Sequence, residues 1–176
     1  MVRRRLMQFP GRIRGTVLFG EKEPLSLKYA CWGFLSGTAG ILAIRAVTGM
    51  AGHSLLIAPM AASAVLLFGA NESPLAQPRN LVGGHLVAAG LAVLIVAMGG
   101  SGPLAMALAV GCAILLMDLT RTTHPPAGAT AFIGVQGHAG PLFIVVPVLG
   151  GALILLLVAL FTNNVVYHRR YPRHWL

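Results

Sequence analysis

Five apolar runs, at 27–49, 55–70, 81–99, 103–117 and 141–161, dominate the chain and leave it little with which to coat a water-soluble globule. Most approach the ~20 residues that a helix needs to cross a hydrocarbon core of ~30 Å. With 56% hydrophobic and 10% charged residues among 176, lipid has to act as solvent for the outer surface. Backbone polar groups in lipid must be satisfied internally, and single runs of this kind achieve that as helices. The expected fold is an all-α, polytopic transmembrane bundle. A sixth apolar stretch, 125–136, is short: twelve residues reach only about 18 Å at 1.5 Å per residue, so it either forms a half-span or re-enters.

The charge supports the same frame. Of thirteen Lys and Arg, seven (Arg3, Arg4, Arg5, Arg12, Arg14, Lys22 and Lys28) precede or open the first run, and Arg169, Arg170 and Arg173 follow the last. Basic residues that flank spans follow the positive-inside bias, so the bilayer rather than nucleic acid is the expected partner. Both tails are expected in the cytoplasm, with the protein in an inner or plasma membrane. The expected organisation is a basic N-terminal segment (1–27), a first membrane repeat (28–99), a second (100–163) and a basic tail (164–176). The first apolar run is read as a retained span, since Pro10, Gly11 and Pro24 interrupt the region before it and no cleavage-like site follows. Cys31 and Cys112 are far apart and form neither a disulfide framework nor a metal spacing. They are read as small packing residues.

Shifting the sequence by 67 positions without a gap aligns two stretches. Pro59 falls on Pro126, Ala62 on Ala129, Ser63 on Thr130, Pro74-Leu75 on Pro141-Leu142 and Gly83-Gly84 on Gly150-Gly151. If the short helices cross, each half has three crossings and the halves are inverted; if they only dip in, there are four crossings and the halves are parallel. Basic tails on one side require an even number, and six also places Arg79 and Arg121 on the cytoplasmic side. The expectation is about six spans in a 3+3 inverted repeat, with short or broken Pro-led helices.

A Pro-led helix start leaves amides without partners at the positive end of the helix dipole, which suits an anion. The expected substrate-binding residues are Pro59, Ala62, Ser63, His85, His124, Pro125, Pro126, Ala127, Gly128, Ala129 and Thr130. The small residues Ala61, Ala62, Gly128 and Ala129 permit close approach, and Ser63 and Thr130 supply donors. Taken one at a time these are ordinary kinks and packing residues; their coincidence in both halves favours a site. Arg79 and Arg121 are expected to attract or gate anions, and Asp118, His124 and His85 to relay a proton. Asp118 and Arg121 also have the spacing of a structural ion pair. His53 and His138 border turns and are expected at the interface. Gly33, Gly37 and Gly40 mark a helix-packing face. No zinc spacing, phosphate loop, nucleophile elbow or paired carboxylates occur, so no metal, cofactor or enzyme activity is expected.

The run His124-Pro125-Pro126-Ala127-Gly128-Ala129-Thr130-Ala131 resembles the signature of the HPP family of integral membrane proteins. The segment Ser73-Pro74-Leu75-Ala76-Gln77-Pro78-Arg79-Asn80, with Gly83-Gly84-His85, resembles the family's second recurrent motif, and the similarity runs from about Lys28 to Asn163. Members from cyanobacteria and chloroplasts are associated with nitrite transport, and some relatives carry appended CBS domains, which this chain is expected to lack. The resemblance implies transport of a small monovalent anion, nitrite first. Rival readings are a channel or transporter for chloride, nitrate or formate, and a membrane scaffold or sensor subunit whose basic tails recruit partners. A homo-oligomer, specifically a dimer with small-residue helix faces in contact, is expected because so few spans enclose little interior.

Overall fold

A computed structural model describes residues 26–50, 57–165 and 169–175. Among these the chain forms six α-helices: α1 (Leu27–Met50), α2 (Ile57–Gly69), α3 (Pro78–Ala97), α4 (Gly102–Thr120), α5 (Ala127–Gln136) and α6 (Gly150–Val165). A 3-10 turn occupies Pro74–Ala76, and a π-helical stretch, Ile144–Leu149, leads straight into α6. Four segments are long and apolar enough to cross a membrane: Leu27–Val47, Pro78–Ala97, Gly102–Thr120 and Ile144–Val165. The chain is an all-α membrane bundle with four clear apolar spans. The run at 55–70 yields only the 13 residues of α2, about 20 Å of helix, and α5 is shorter still at 10 residues, about 15 Å. His53 and the basic segment before Ser26 lie outside the described residues.

Local chemistry sets the element ends. Ser73 Oγ accepts from Leu75 N at 3.2 Å to start the 3-10 turn, and Pro78 opens α3 where its missing N–H costs nothing. Gly99 and Gly102 adopt positive φ (82° and 76°) in the tight link from α3 to α4. Arg121, at φ 55°, ends α4 in the left-handed region, and His138 (φ 50°) turns the chain after α5. Pro147 sits within the π-helical stretch, whose wider register carries the helix past a residue with no N–H.

Contacts between helices fix their directions. Tyr29 Oη near the start of α1 donates to Asn71 Oδ1 just past α2, and Trp32 Nε1 donates to Thr162 O near the end of α6. Arg79 Nη2 in α3 donates to Thr120 O at the end of α4. The starts of α1 and α3 therefore share one end of the bundle with the ends of α2, α4 and α6. α5 starts towards that same end and runs alongside α3, His85 meeting Thr130 and Ala92 facing Gly134.

Two apolar clusters hold the bundle. One, containing Met60, Leu67, Phe68, Leu81 and Leu155, joins α1, α2, α3 and α6. The other is largely alanine (Ala88, Ala92, Ala109, Ala113, Ala127, Ala131) and brings α3, α4 and α5 together at close range. The Gly33–Gly37–Gly40 stripe packs within the chain: a Cβ at Gly40 would lie 3.1 Å from the Phe68 ring, and one at Gly33 would lie 3.4 Å from Phe68 O. Cys31 and Cys112 are exposed and unbridged on outer faces, so they are not the packing residues expected.

The chain beyond α6 folds back across the end of the bundle. Tyr171 Oη donates to Ala76 O at 2.8 Å, the amide of Arg173 donates to Gln77 Oε1 at 2.8 Å, and the Arg173 guanidinium pairs with Glu72. Burial raises the pKa of the Tyr171 phenol.

Glycines on α3 set how closely the 120–124 segment approaches. A Cβ at Gly84 would meet His124 Cβ at 2.7 Å and Thr122 O at 2.8 Å, whereas one at Gly90 would meet nothing within 4 Å. Gly84→Ala is expected to destabilise the protein by about 1–3 kcal/mol through overpacking, with Gly90→Ala neutral or mildly stabilising. Thermal unfolding in detergent checks this; equal melting temperatures for the two variants would contradict the close approach.

Candidate functional site: a buried imidazole–hydroxyl centre

Four polar side chains from separate parts of the chain meet between the two apolar clusters. They are Ser63 on α2, His85 on α3, Thr130 on α5 and His124 in the link before α5, and each is 0% exposed. Ser63 Oγ lies 2.9 Å from His85 Nε2 and 2.9 Å from His124 Nε2. His85 Nδ1 lies 2.8 Å from Thr130 Oγ1, and His124 Nδ1 lies 2.8 Å from Leu75 O in the 3-10 turn. The two rings are tilted by 60° with centroids 5.0 Å apart.

The chemistry of the partners orders the protons. A carbonyl only accepts, so His124 Nδ1 carries the hydrogen donated to Leu75 O, and with that ring neutral Nε2 is an acceptor. Ser63 then donates its single hydrogen to His124. Its oxygen accepts from His85 Nε2–H, which leaves His85 Nδ1 to accept from Thr130. Every hydrogen bond points the same way, Thr130 to His85 to Ser63 to His124 to Leu75, and no donor or acceptor in the series is left over. Pro59 O, 3.0 Å from Ser63 Oγ, is a second acceptor for the serine hydrogen. A proton added at His124 Nε2 turns that nitrogen into a donor to Ser63, and Ser63 turns its hydrogen to Pro59 O. The centre thus accommodates one extra proton without losing a hydrogen bond.

The backbone around His124 is pinned. Asn80 Nδ2 donates to Thr123 O at 2.7 Å, and Arg79 holds Thr120 O at 3.0 Å. Arg79 therefore spends a donor on positioning. Arg121 is exposed beyond α4. Asp118, also exposed, accepts from Thr123 Oγ1 at 2.8 Å and forms no ion pair with Arg121.

The amides at the start of α5 are not the free donors expected of a Pro-led helix. Ala127 N donates to His124 O, Gly128 N to Pro125 O and Ala129 N to Pro126 O, at 2.9, 3.1 and 3.1 Å. These tight i−3 bonds use the donors that the dipole argument left open. Side chains rather than amides converge here. Pro125, Ala129 and Ala62 are exposed on the bundle's outside, while Ala127 is buried among the alanines of α3 and α4. His138 is exposed at its turn.

Residues 22–172 match the family model described as HPP, transmembrane region. The chain belongs to the HPP family. Two transmembrane proteins of Dictyostelium discoideum are each 44% identical to this HPP chain, one over 170 residues (89% of this chain, 55% of the relative) and one over 156 residues (82% and 55%). The HPP chain thus spans about half the length of the curated relatives it matches. No solved structure matches it. Ser63 of the HPP chain touches two imidazoles, and among the described residues no carboxylate accepts from either ring. Among the described residues no three His, Cys, Asp or Glu side chains gather as metal ligands.

Leu75 and Asn80 were not singled out as site residues. Leu75 acts through its carbonyl, which side-chain identity does not reveal, whereas Asn80 closes the Ser73–Asn80 motif and was traceable there. Thr130→Val removes the donor to His85 Nδ1 at nearly constant shape and is expected to lower stability by about 1–3 kcal/mol. Thr130→Ser keeps the hydroxyl and should stay near wild type. Equal unfolding of the two variants would show that this bond does not matter.

Proposed function

We propose that this HPP protein transports a small monovalent anion, nitrite first, together with a proton through the Ser63–His85–His124–Thr130 centre. One observation carries the reading: the two nitrogens of His85 bridge Ser63 and Thr130, which are equivalent positions under the 67-residue shift. A pseudo-symmetric pair of hydroxyls on one ionisable ring is what an inverted-repeat transporter brings together at its substrate site.

The helix ends support the repeat. Under the same shift α2 ends on the last residue of α5, and Pro78–Ala97 falls on 145–164, within one residue of the span Ile144–Val165. In this reading α2 and α5 complete six crossings in a 3+3 inverted arrangement. Six of the seven described Lys and Arg (Lys28, Arg79, Arg121, Arg169, Arg170, Arg173) lie at one end of the bundle, and Arg45 lies towards the other. The basic end is then cytoplasmic, with both termini there, in an inner or plasma membrane. Arg121 and Arg79 stand at that mouth, where they attract anions.

An anion moving alone into a negative interior opposes ~2.3 kcal/mol per 100 mV. A proton moving with it cancels that cost. The buried, fully bonded centre is an occluded resting arrangement. Protonation at His124 reverses the donor direction at Ser63, places a positive charge beside that hydroxyl and creates the complement an anion needs. Asp118 lies next to Thr123, one residue before His124, and serves as the proton's entry. The dimer of this reading does not use the Gly33–Gly37–Gly40 stripe, which packs within the chain.

Nitrite flux into proteoliposomes is the test. Wild type is expected to be stimulated by an inward proton gradient. His124→Gln keeps a donor for Leu75 and an acceptor for Ser63 but takes no proton, so it should fold and lose that stimulation. A gradient response unchanged in the variant would overturn proton coupling, and absence of nitrite flux or competition would remove nitrite as substrate.

A further inference from the structure

A groove of about 1370 Å³ runs along the seam between α1 and α2, away from the imidazole centre. Its walls are apolar, with Phe34, Ile41, Leu42, Val65 and Phe68 prominent, and from Tyr29 to Leu42 it follows α1. That is about 20 Å of helix, enough to cover the roughly 15 Å thickness of one hydrocarbon leaflet. Any outer face of a membrane bundle touches acyl chains, so these walls alone do not make a site.

The head of the groove, at the basic end of the bundle, supplies the second observation. Arg169 and Asn71 line it, exposed by only 2% and 1%. Arg169 Nη1 donates to Phe68 O and Asn163 Oδ1, Nη2 donates to Tyr29 O, and the guanidinium lies 3.7 Å above the Tyr29 ring. All these partners are neutral, and Nε–H has none. Asn71 uses Oδ1 to accept from Tyr29 Oη, while its Nδ2 donors have no partner. Burial lowers the pKa of the Arg169 guanidinium, partly opposed by Tyr29. Glu72, also on the rim, is neutralised by Arg173. Among the described residues no carboxylate pairs with this buried cation or with the orphaned donor beside it, which leaves both short of an anionic acceptor.

We propose that this groove binds one anionic phospholipid, its phosphate accepting from Arg169 Nε and Asn71 Nδ2 and an acyl chain lying between α1 and α2. The orphaned donors sit at the end of the seam where the basic residues collect, the depth at which lipid phosphates lie. The chain's own segment 1–25 is a poor occupant, since its six Lys and Arg against Glu21 and Glu23 would meet a cationic pocket head. The lipid would complete the polar end of the α1–α2 seam and lock the folded-back tail to the bundle. This inference is independent of the transport reading.

Native mass spectrometry of the full chain with phosphatidylglycerol or phosphatidylcholine of identical acyl chains tests it. Wild type is expected to retain one phosphatidylglycerol per chain and to exchange phosphatidylcholine for it. Asn71→Asp keeps the acceptor for Tyr29 and places a carboxylate where the orphaned amide was. It should lose the phosphatidylglycerol adduct without a fall in melting temperature. Gly37→Leu, where a Cβ would come no nearer than 3.9 Å to Phe68, should fill the groove and lower retention of both lipids. Equal retention of the two lipids by wild type, or an adduct that survives Asn71→Asp, overturns the proposal. So does conversion of a dimer to monomer in either variant with no lipid released, which would identify a second copy as the occupant.

Discussion

The structure depends on the cost of burying polar groups inside a lipid-embedded bundle, and the His85 ring, paired at both nitrogens, is where that cost is met most fully. Its two nitrogens tie α2 to α5 through Ser63 and Thr130. The described lengths of the two short helices, 13 and 10 residues, fall below the ~20 of a full helical span. What fixes them is packing against longer neighbours, alanine-lined for α5 and Phe68-centred for α2, together with this polar bridge. An unpaired imidazole nitrogen here would carry a desolvation penalty of a few kcal/mol, so the centre behaves as a unit.

A closed series of hydrogen bonds has a functional consequence that a looser cluster lacks. Because Ser63, His85 and His124 each give one hydrogen and take one, a proton added at His124 is answered by reorientation of Ser63. Pro59 O gives the serine a second acceptor, so the series has two satisfied states that differ by one proton. Transport by alternating access needs an element with two arrangements of comparable energy. In the proposed transport reading the centre is that element, carried by the short helices α2 and α5.

Much of this was legible in the residues. Apolar runs locate the four long spans, but run length alone does not single them out, since 55–70 is no shorter than 103–117 and yields only the short helix α2. The ungapped shift that pairs Ser63 with Thr130, and the scarcity of polar residues within the apolar runs, single out three of the four members of the centre, and the HPP signature supplies the fourth. Helix-start reasoning leaves the α5 amides open, whereas after Pro125-Pro126 the backbone tightens into i−3 bonds that use them. Asp118 and Arg121, spaced to pair on one helix face, do not, because Arg121 leaves the helix at positive φ and Asp118 finds Thr123. In the sequence Arg169 is only one more tail charge. Its insertion beneath Tyr29 and Phe68 depends on the chain turning back after α6, which no local pattern announces.

The account rests on the direction of the hydrogen bonds through the two histidines. Nitrogen-15 NMR of histidine-labelled protein in lipid, without added anion, reads that direction from the tautomers. His124 should carry its hydrogen on Nδ1 and His85 on Nε2, opposite forms of the same ring. Identical tautomers in the two residues, or His124 with a bare Nδ1 facing Leu75, would contradict the ordered centre and the proton step built on it.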